Sequence, residues 1–271
     1  MKLDIGTIWN EASDMVASSK EVMAAIAGVF FLLPSFAFSL LLPAPQMADG
    51  AAPEAAFGML MEWYKSALPW LGLMVVIQAV GQLAIFAMLA RPGKVTVGEA
   101  LRDGLGGLLP LIAAQLIVSL ALAVLVAIAF AIGAASGSVG VMVLIGLLVA
   151  AAALYVSIRM LLSVPVIAID RVRNPIAALQ RSWDLTRGRF GAILLYMFLL
   201  VICFIVAALV TGMVVGVIAT LLGGPRAAEI VGGAVSALLS AVFTLYVVAS
   251  LAAIHRRLSG GSSSAQAETF S

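Results

Sequence analysis

The sequence predicts an all-α, polytopic membrane protein with about six transmembrane helices, and three observations carry that prediction. Hydrophobic residues make up 63% of the chain and charged residues 10%, with a mean hydropathy of +1.18, outside the balance of a soluble globular domain. Six apolar runs reach the ~20 residues a helix needs to cross ~30 Å of hydrocarbon. The runs are continuous rather than alternating, and a lipid-exposed backbone must bond to itself, so helices are the structures that fit.

The first element is an amphipathic helix with Thr7 as its expected cap and Ile8, Trp9, Ala12, Met15 and Val16 along one side. It is expected to lie on the membrane surface. Ser18 and Glu21 have capping-box spacing and open the first span, 21–42, with a kink expected at Pro34. Residues 43–66 read as a loop containing Asp49, Glu54 and Glu62, brought back to the interface by Trp63 and Tyr64. The second span, 67–90, carries Gln78 and Gln82 four apart, amides of the kind that hold helices together.

Thr96 and Glu99 form another capping box, opening a short helix with Val97, Ala100, Leu101 and Leu105 on one face and Glu99, Arg102 and Asp103 on the other. A third span, 108–132, a tight loop, 133–140, and a fourth span, 141–169, come next. The fourth contains Arg159 and is expected to bend at Pro165. Asn174 followed by Pro175 reads as an N-cap with proline at the first helical position. The helix so begun places Ile176, Leu179, Trp183 and Thr186 on one face and Gln180, Arg181, Asp184 and Arg187 on the other, and Gly188 ends it.

The fifth and sixth spans, 190–222 and 228–256, are joined by Gly223-Gly224-Pro225 and read as an antiparallel hairpin. Small residues recur every fourth position: Ala208, Gly212, Gly216 and Thr220 on one span, Gly232, Ser236, Ser240 and Thr244 on the other. Such ridges allow close backbone approach, so Gly212, Gly216, Gly232 and Ser236 are expected to carry the helix packing. The serine- and glycine-rich 259–271 reads as a disordered tail.

A capped amphipathic helix followed by two spans thus recurs three times, at about 7–90, 96–169 and 174–256, within one membrane domain, 1–258. Lysine and arginine concentrate at the N-terminus, in the loops at 91–102 and 171–189 and at the C-terminus, with Lys65 and Arg226 on the opposite side. The positive-inside rule then makes both termini and all three surface helices cytoplasmic.

No phosphate-binding loop, His-Glu pair or cysteine pair has the spacing for nucleotide or metal chemistry, and Cys203 is the single cysteine. Ser136 and His255 fall on opposite sides of the bilayer and cannot form a dyad. His255, beside Arg256 and Arg257, reads as a headgroup contact or stop-transfer element rather than a ligand. No catalytic residue, cofactor or metal is therefore assigned. Arg159, ten residues before the end of its span, is placed near the midplane, where an arginine must pair, snorkel or face water. One reading makes it a site for an anionic headgroup or substrate; the other has it bonding helix-end carbonyls, Gln78, Gln82 or Asp184. Arg181, Arg187 and Arg189 with Trp183 are candidate headgroup contacts; alternatively Arg181 and Arg187 tie their helix to the protein through Asp170, Asp184 or helix-end carbonyls.

Arg159, Pro165 and Asp170, followed by Arg181-Ser182-Trp183, Leu185-Thr186-Arg187-Gly188, carry a resemblance. This run resembles the bacterial glycerophosphodiester-phosphodiesterase membrane-domain family and its stand-alone inner-membrane relatives, with Asp170 where a glutamate is expected. The resemblance implies a membrane domain without the soluble phosphodiesterase domain fused to it in some relatives, so that activity is not implied. The chain is accordingly expected to be a non-catalytic protein of the bacterial inner membrane that contacts lipids of the anionic cytoplasmic leaflet, supports envelope homeostasis, and binds no nucleic acid. A membrane-protein partner or a second copy is a further candidate partner. The alternative is a transporter or permease subunit for a lipid or small anion, with Gln78, Gln82 and Gln115 lining a cavity around Arg159.

Overall fold

The computed structural model describes residues 4–42, 53–90 and 96–269, and among them all regular structure is helical. Six helical stretches are long and apolar enough to cross a membrane: Lys20–Leu41, Ala55–Leu89, Leu108–Ala135, Val139–Ala168, Phe190–Gly224 and Arg226–Gly260. The predicted class and span count therefore hold. Short helices α1 (Ile5–Ser18), α5 (Val97–Leu105) and α9 (Pro175–Thr186) precede the first, third and fifth spans. Because an even number of spans separates them, all three lie at one end of the bundle.

Two of the three caps form as the sequence predicts. Thr96 Oγ1 accepts from Glu99 N while the Glu99 carboxylate accepts from Thr96 N at 2.9 Å, a complete capping box. Asn174 Oδ1 accepts from Ile176 N at 3.0 Å and Ala177 N at 3.3 Å. The cap of α1 is instead Asp4, whose side chain accepts from Gly6 N, and Thr7 lies inside the helix with its hydroxyl donating to Asp4 O. An aspartate three positions earlier is as good a cap as threonine. At the first span Ser19 occupies the cap without a side-chain bond, since Ser18 Oγ donates back to Met15 O.

The first span is built from α2 (Lys20–Ala27), a wide π-helical turn (Gly28–Leu32) and α3 (Leu33–Leu41). Pro34 falls just after the wide turn, in the first turn of α3, where its missing N–H costs little. The second span corrects the sequence reading: α4 (Pro53–Leu89) is helical through 53–66, predicted as loop, with Pro69 inside it. Pro53 suits a helix start and alanine, leucine, methionine and glutamate after it are strong helix formers. Residues 43–52 of that predicted loop lie outside the described residues.

α6 (Leu108–Ala135) and α7 (Val139–Met160) form the hairpin of spans three and four. The fourth span breaks at Leu161 and Leu162 and resumes as α8 (Ser163–Ala168). Proline's ring clashes with the carbonyl four residues earlier, which for Pro165 is that of Leu161, so the break falls one turn before the proline. α10 (Phe190–Thr269) holds spans five and six on either side of Gly224, whose φ of 74° and ψ of −175° open the turn. Its helical backbone runs on through 259–269, into the stretch whose composition predicts disorder. Helix propagation from a formed turn is cheap even for serine.

Spans two and six form the centre. Leu83, Ala84, Ile85 and Phe86 from one and Ala249, Ala252, Ala253 and Ile254 from the other are nearly inaccessible. Close backbone approach occurs at glycines other than those predicted. A Cβ on Gly81 would lie 2.6 Å from Phe30 Cβ of span one, and a Cβ on Gly104 2.8 Å from the Ala84 nitrogen, which seats α5 against span two. A Cβ on Gly212, Gly216 or Gly232 would meet nothing within 4 Å. An apolar cavity of about 410 Å³ separates the spans there, lined by Ala208, Gly212, Gly232, Ser236 and Ser240 among others. The predicted tight ridge is thus corrected: Phe204 against Phe243, with ring centroids 4.9 Å apart, and Tyr196 Oη to Ser250 Oγ at 2.7 Å join the pair nearer the short helices. Bulky aromatics set the spacing there, and glycines beyond them cannot close the gap.

Candidate headgroup site at the short-helix end

Pro165 begins the assembly of the site. By breaking span four, it leaves Arg159 in the last turn of α7, whose carbonyls lack a following turn to bond. α9 crosses this end and supplies the partners. Its buried stripe is Ala178, Ser182 and Thr186, while Ile176 is 57% exposed. The predicted apolar face is therefore rotated, because small polar residues that find partners pack closer than a branched apolar one. Ser182 Oγ donates to Arg159 O at 2.7 Å, and Thr186 Oγ1 donates to the carbonyls of Ser182 and Trp183 at 3.0 and 3.1 Å.

The Arg159 side chain is buried at 6% exposure. Nη1 donates to Trp183 O at 3.1 Å and to Thr186 Oγ1 at 3.2 Å, and Nε donates to Tyr155 Oη at 3.2 Å. Its guanidinium carbon lies 4.4 Å from the Trp183 ring centroid and 5.4 Å from that of Tyr155. Cation–π contacts of this kind contribute about 0.5–2 kcal/mol each. The two rings meet edge to face, and Tyr155 also touches the Phe190 ring at the start of span five. Arg159 therefore sits level with the entry to span five rather than at the midplane.

Of the two readings of Arg159, the helix-end carbonyl contact is present, while Gln78, Gln82 and Asp184 do not bond it. Gln78 and Gln82 are half-buried and Gln115 exposed. Trp183, expected at headgroup depth, is half-buried with its ring committed to Arg159 and Tyr155. Arg181 and Arg187 are exposed and Arg189 is half-exposed. None of the three forms an ion pair or side-chain hydrogen bond with a described residue, so the reading in which Arg181 and Arg187 tie α9 to Asp170 or Asp184 is not what the structure adopts. Three arginines uncommitted to any described residue thus lie along α9 and just beyond its C-terminal end.

Asp170 has another partner. Its Oδ2 lies 3.2 Å from Nε2 of His255, which is 1% exposed rather than at the membrane surface. Next to it Arg256 donates to Leu89 O, and Arg257 holds Glu11 of α1 through Nε at 3.0 Å. Arg171, at φ 55°, reaches Asp103 of α5 at 3.7 Å. The end of span six is thereby tied to α1, to span two and to the exit of span four. Trp9 of α1 adds a stacked contact on Tyr246, with centroids 5.2 Å apart. The roles of Tyr155, Ser182 and His255 are the ones sequence reasoning missed. The signal for the first two was positional: Tyr155 stands one turn before Arg159, and Ala178, Ser182 and Thr186 share a face.

No group of three or more His, Cys, Asp or Glu able to hold a metal occurs among the described residues. No curated protein and no solved structure matches the chain. A family does match over residues 108–261, which contain spans three to six, α9 and every residue that touches Arg159. With more than half of its length so matched, and with the six apolar helices around it, the chain belongs to the family described as the membrane domain of glycerophosphoryl diester phosphodiesterase.

Proposed function

We propose that this membrane protein is non-catalytic and works by contact with anionic lipid, supporting envelope homeostasis in the bacterial inner membrane. The observation that carries the reading is that Arg181, Arg187 and Arg189, on α9 and just after it, are exposed or half-exposed and uncommitted to any described residue. Each basic residue near an anionic surface gains roughly 1 kcal/mol. By sequence, 12 of the 15 Lys and Arg fall in the N-terminal segment, 91–102, 171–189 and the C-terminal segment, which favours a cytoplasmic placement of the short-helix end and of both termini. Cysteine labelling tests it: Ala228→Cys reacts from outside, and Asn174→Cys and Ser264→Cys only from inside. Outside labelling of Asn174→Cys would reverse the orientation. Three units of short helix plus two spans are part of the same proposal. A lipid role is favoured over transport because the expected polar set does not converge: Arg159 is held by Tyr155, Trp183 and Thr186, and Gln115 faces outward.

The test is reconstitution into anionic and neutral nanodiscs with a spin label at Gln180→Cys. Replacing Arg181, Arg187 and Arg189 by glutamine is expected to remove on the order of 3 kcal/mol of attraction to the anionic bilayer and little on the neutral one. Identical immersion depth and mobility in all four combinations would refute the lipid contact.

A further inference from the structure

We infer that Arg159 is a specific binding point for one phosphate-type anion, deepening the proposed lipid contact, on which it rests, from a diffuse attraction to a site. The argument starts from charge. A buried cation is costly unless paired with an anion, and the guanidinium of Arg159, 6% exposed, has no carboxylate within ion-pair reach among the described residues. Its partners are all neutral: the Tyr155 hydroxyl, the Trp183 carbonyl, the Thr186 hydroxyl and two ring faces.

These contacts fix the plane of the group and use Nε and Nη1. Nη2 donates to no described group. It is not fully buried, since the one fully buried side-chain nitrogen or oxygen without a partner among the described residues is His255 Nδ1. The result is an arginine held rigidly by neutral groups, with two N–H bonds and its full charge left for an outside acceptor. A phosphate oxygen suits such a donor, because a charge-assisted hydrogen bond from Nη2 also brings the anion against the unpaired charge. The position fits as well, because Thr186 and Trp183 lie within six residues of Arg189, just before span five begins at Phe190, and headgroups gather at the ends of spans. The shared chemistry is a phosphate mono- or diester, supplied either by a lipid headgroup or by a soluble phosphate.

Native mass spectrometry of the full chain, delipidated in non-ionic detergent and titrated with short-chain phosphatidylglycerol, diacylglycerol or inorganic phosphate, tests this. Wild type is expected to keep one saturable phosphatidylglycerol and to ignore diacylglycerol. Arg159→Gln weakens that binding about tenfold or more, Arg159→Lys weakens it less, and the triple glutamine variant of Arg181, Arg187 and Arg189 retains the single bound lipid. Displacement by inorganic phosphate assigns the site to a soluble anion, and no displacement assigns it to the headgroup. Unchanged affinity in a folded Arg159→Gln, or equal binding of diacylglycerol, overturns the site. Should Arg159→Gln fail to fold, indole emission decides on the native arginine: a change on adding phosphatidylglycerol that Trp183→Phe abolishes supports the site, and no such change overturns it. A nanodisc preference that the triple glutamine variant leaves unchanged, with the bound lipid intact, would defeat the surface reading alone, and a preference lost in that variant without any saturable bound lipid in the wild type would defeat the site alone.

Discussion

At the residue scale, two hydroxyls decide where Arg159 goes. Ser182 Oγ satisfies the arginine's own carbonyl, and Thr186 Oγ1 accepts from its guanidinium while donating to the carbonyls of α9. Both residues are fully buried, so removing the Ser182 hydroxyl takes the side-chain donor from the Arg159 carbonyl and removing that of Thr186 takes an acceptor from one Nη1–H of Arg159, each a loss of about 1–3 kcal/mol. Ser182→Ala and Thr186→Val are each expected to lower unfolding stability in detergent by that amount. Arg181→Gln, whose side chain bonds nothing described, is expected to change it by less than about 0.5 kcal/mol. Thermal unfolding followed by circular dichroism checks the set, and an Arg181→Gln loss equal to that of Ser182→Ala would contradict the assignment of partners. The Ser182 and Thr186 roles could not be read from periodicity alone, because a serine facing the protein and one facing water look alike until the partner across the gap is known.

At the element scale, glycine spacing and glycine function part company. The i+4 pattern of Gly212, Gly216 and Gly232 is that of a packed helix pair, yet those positions border a cavity. Gly81 and Gly104, which sit in no such pattern, are where backbone meets a neighbour. Gly104→Leu is therefore expected to cost about 3 kcal/mol or more, because a side chain there would press on the backbone of Leu83 and Ala84, which cannot yield as a flexible side-chain tip could. Gly212→Leu, by contrast, is expected to be neutral within about 1 kcal/mol or slightly stabilising by filling space. Comparison of their unfolding midpoints checks this, and greater damage from Gly212→Leu would restore the ridge. The elements themselves were largely legible. Capping chemistry at Thr96 and Asn174 is local, and hydrophobic length alone marks a span. What could not be read is which neighbour each face meets: the rotation of α9 by one position and the pairing of Asp170 with His255, 85 residues away, are decided by tertiary packing.

At the scale of the whole molecule, burial is uneven. Of the most apolar window in each span, 56% is buried in span six and 44% in span two, against 6% in span three and 0% in span four. The hairpin of α6 and α7 thus leaves most of its length to lipid and meets the rest of the bundle at its base, through Leu111, Ala114, Ile158 and Arg159. In lipid, apolar contact gives no preference for protein over acyl chains, so the polar node at that base carries a large share of what fixes the hairpin. Weakening the node should then free the far end while leaving the helices intact. Spin labels on Ser138→Cys, at the hairpin tip, and Ser39→Cys, near the far end of span one, in a Cys203→Ser background, are expected to give one narrow distance distribution in nanodiscs. Ser182→Ala combined with Thr186→Val should broaden that distribution, whereas Gly212→Leu in a different hairpin should not. A distribution already broad in the parent would mean that the node does not hold the hairpin. One that stays narrow in the double variant would place the restraint in the apolar contacts of Leu111, Ala114 and Ile158.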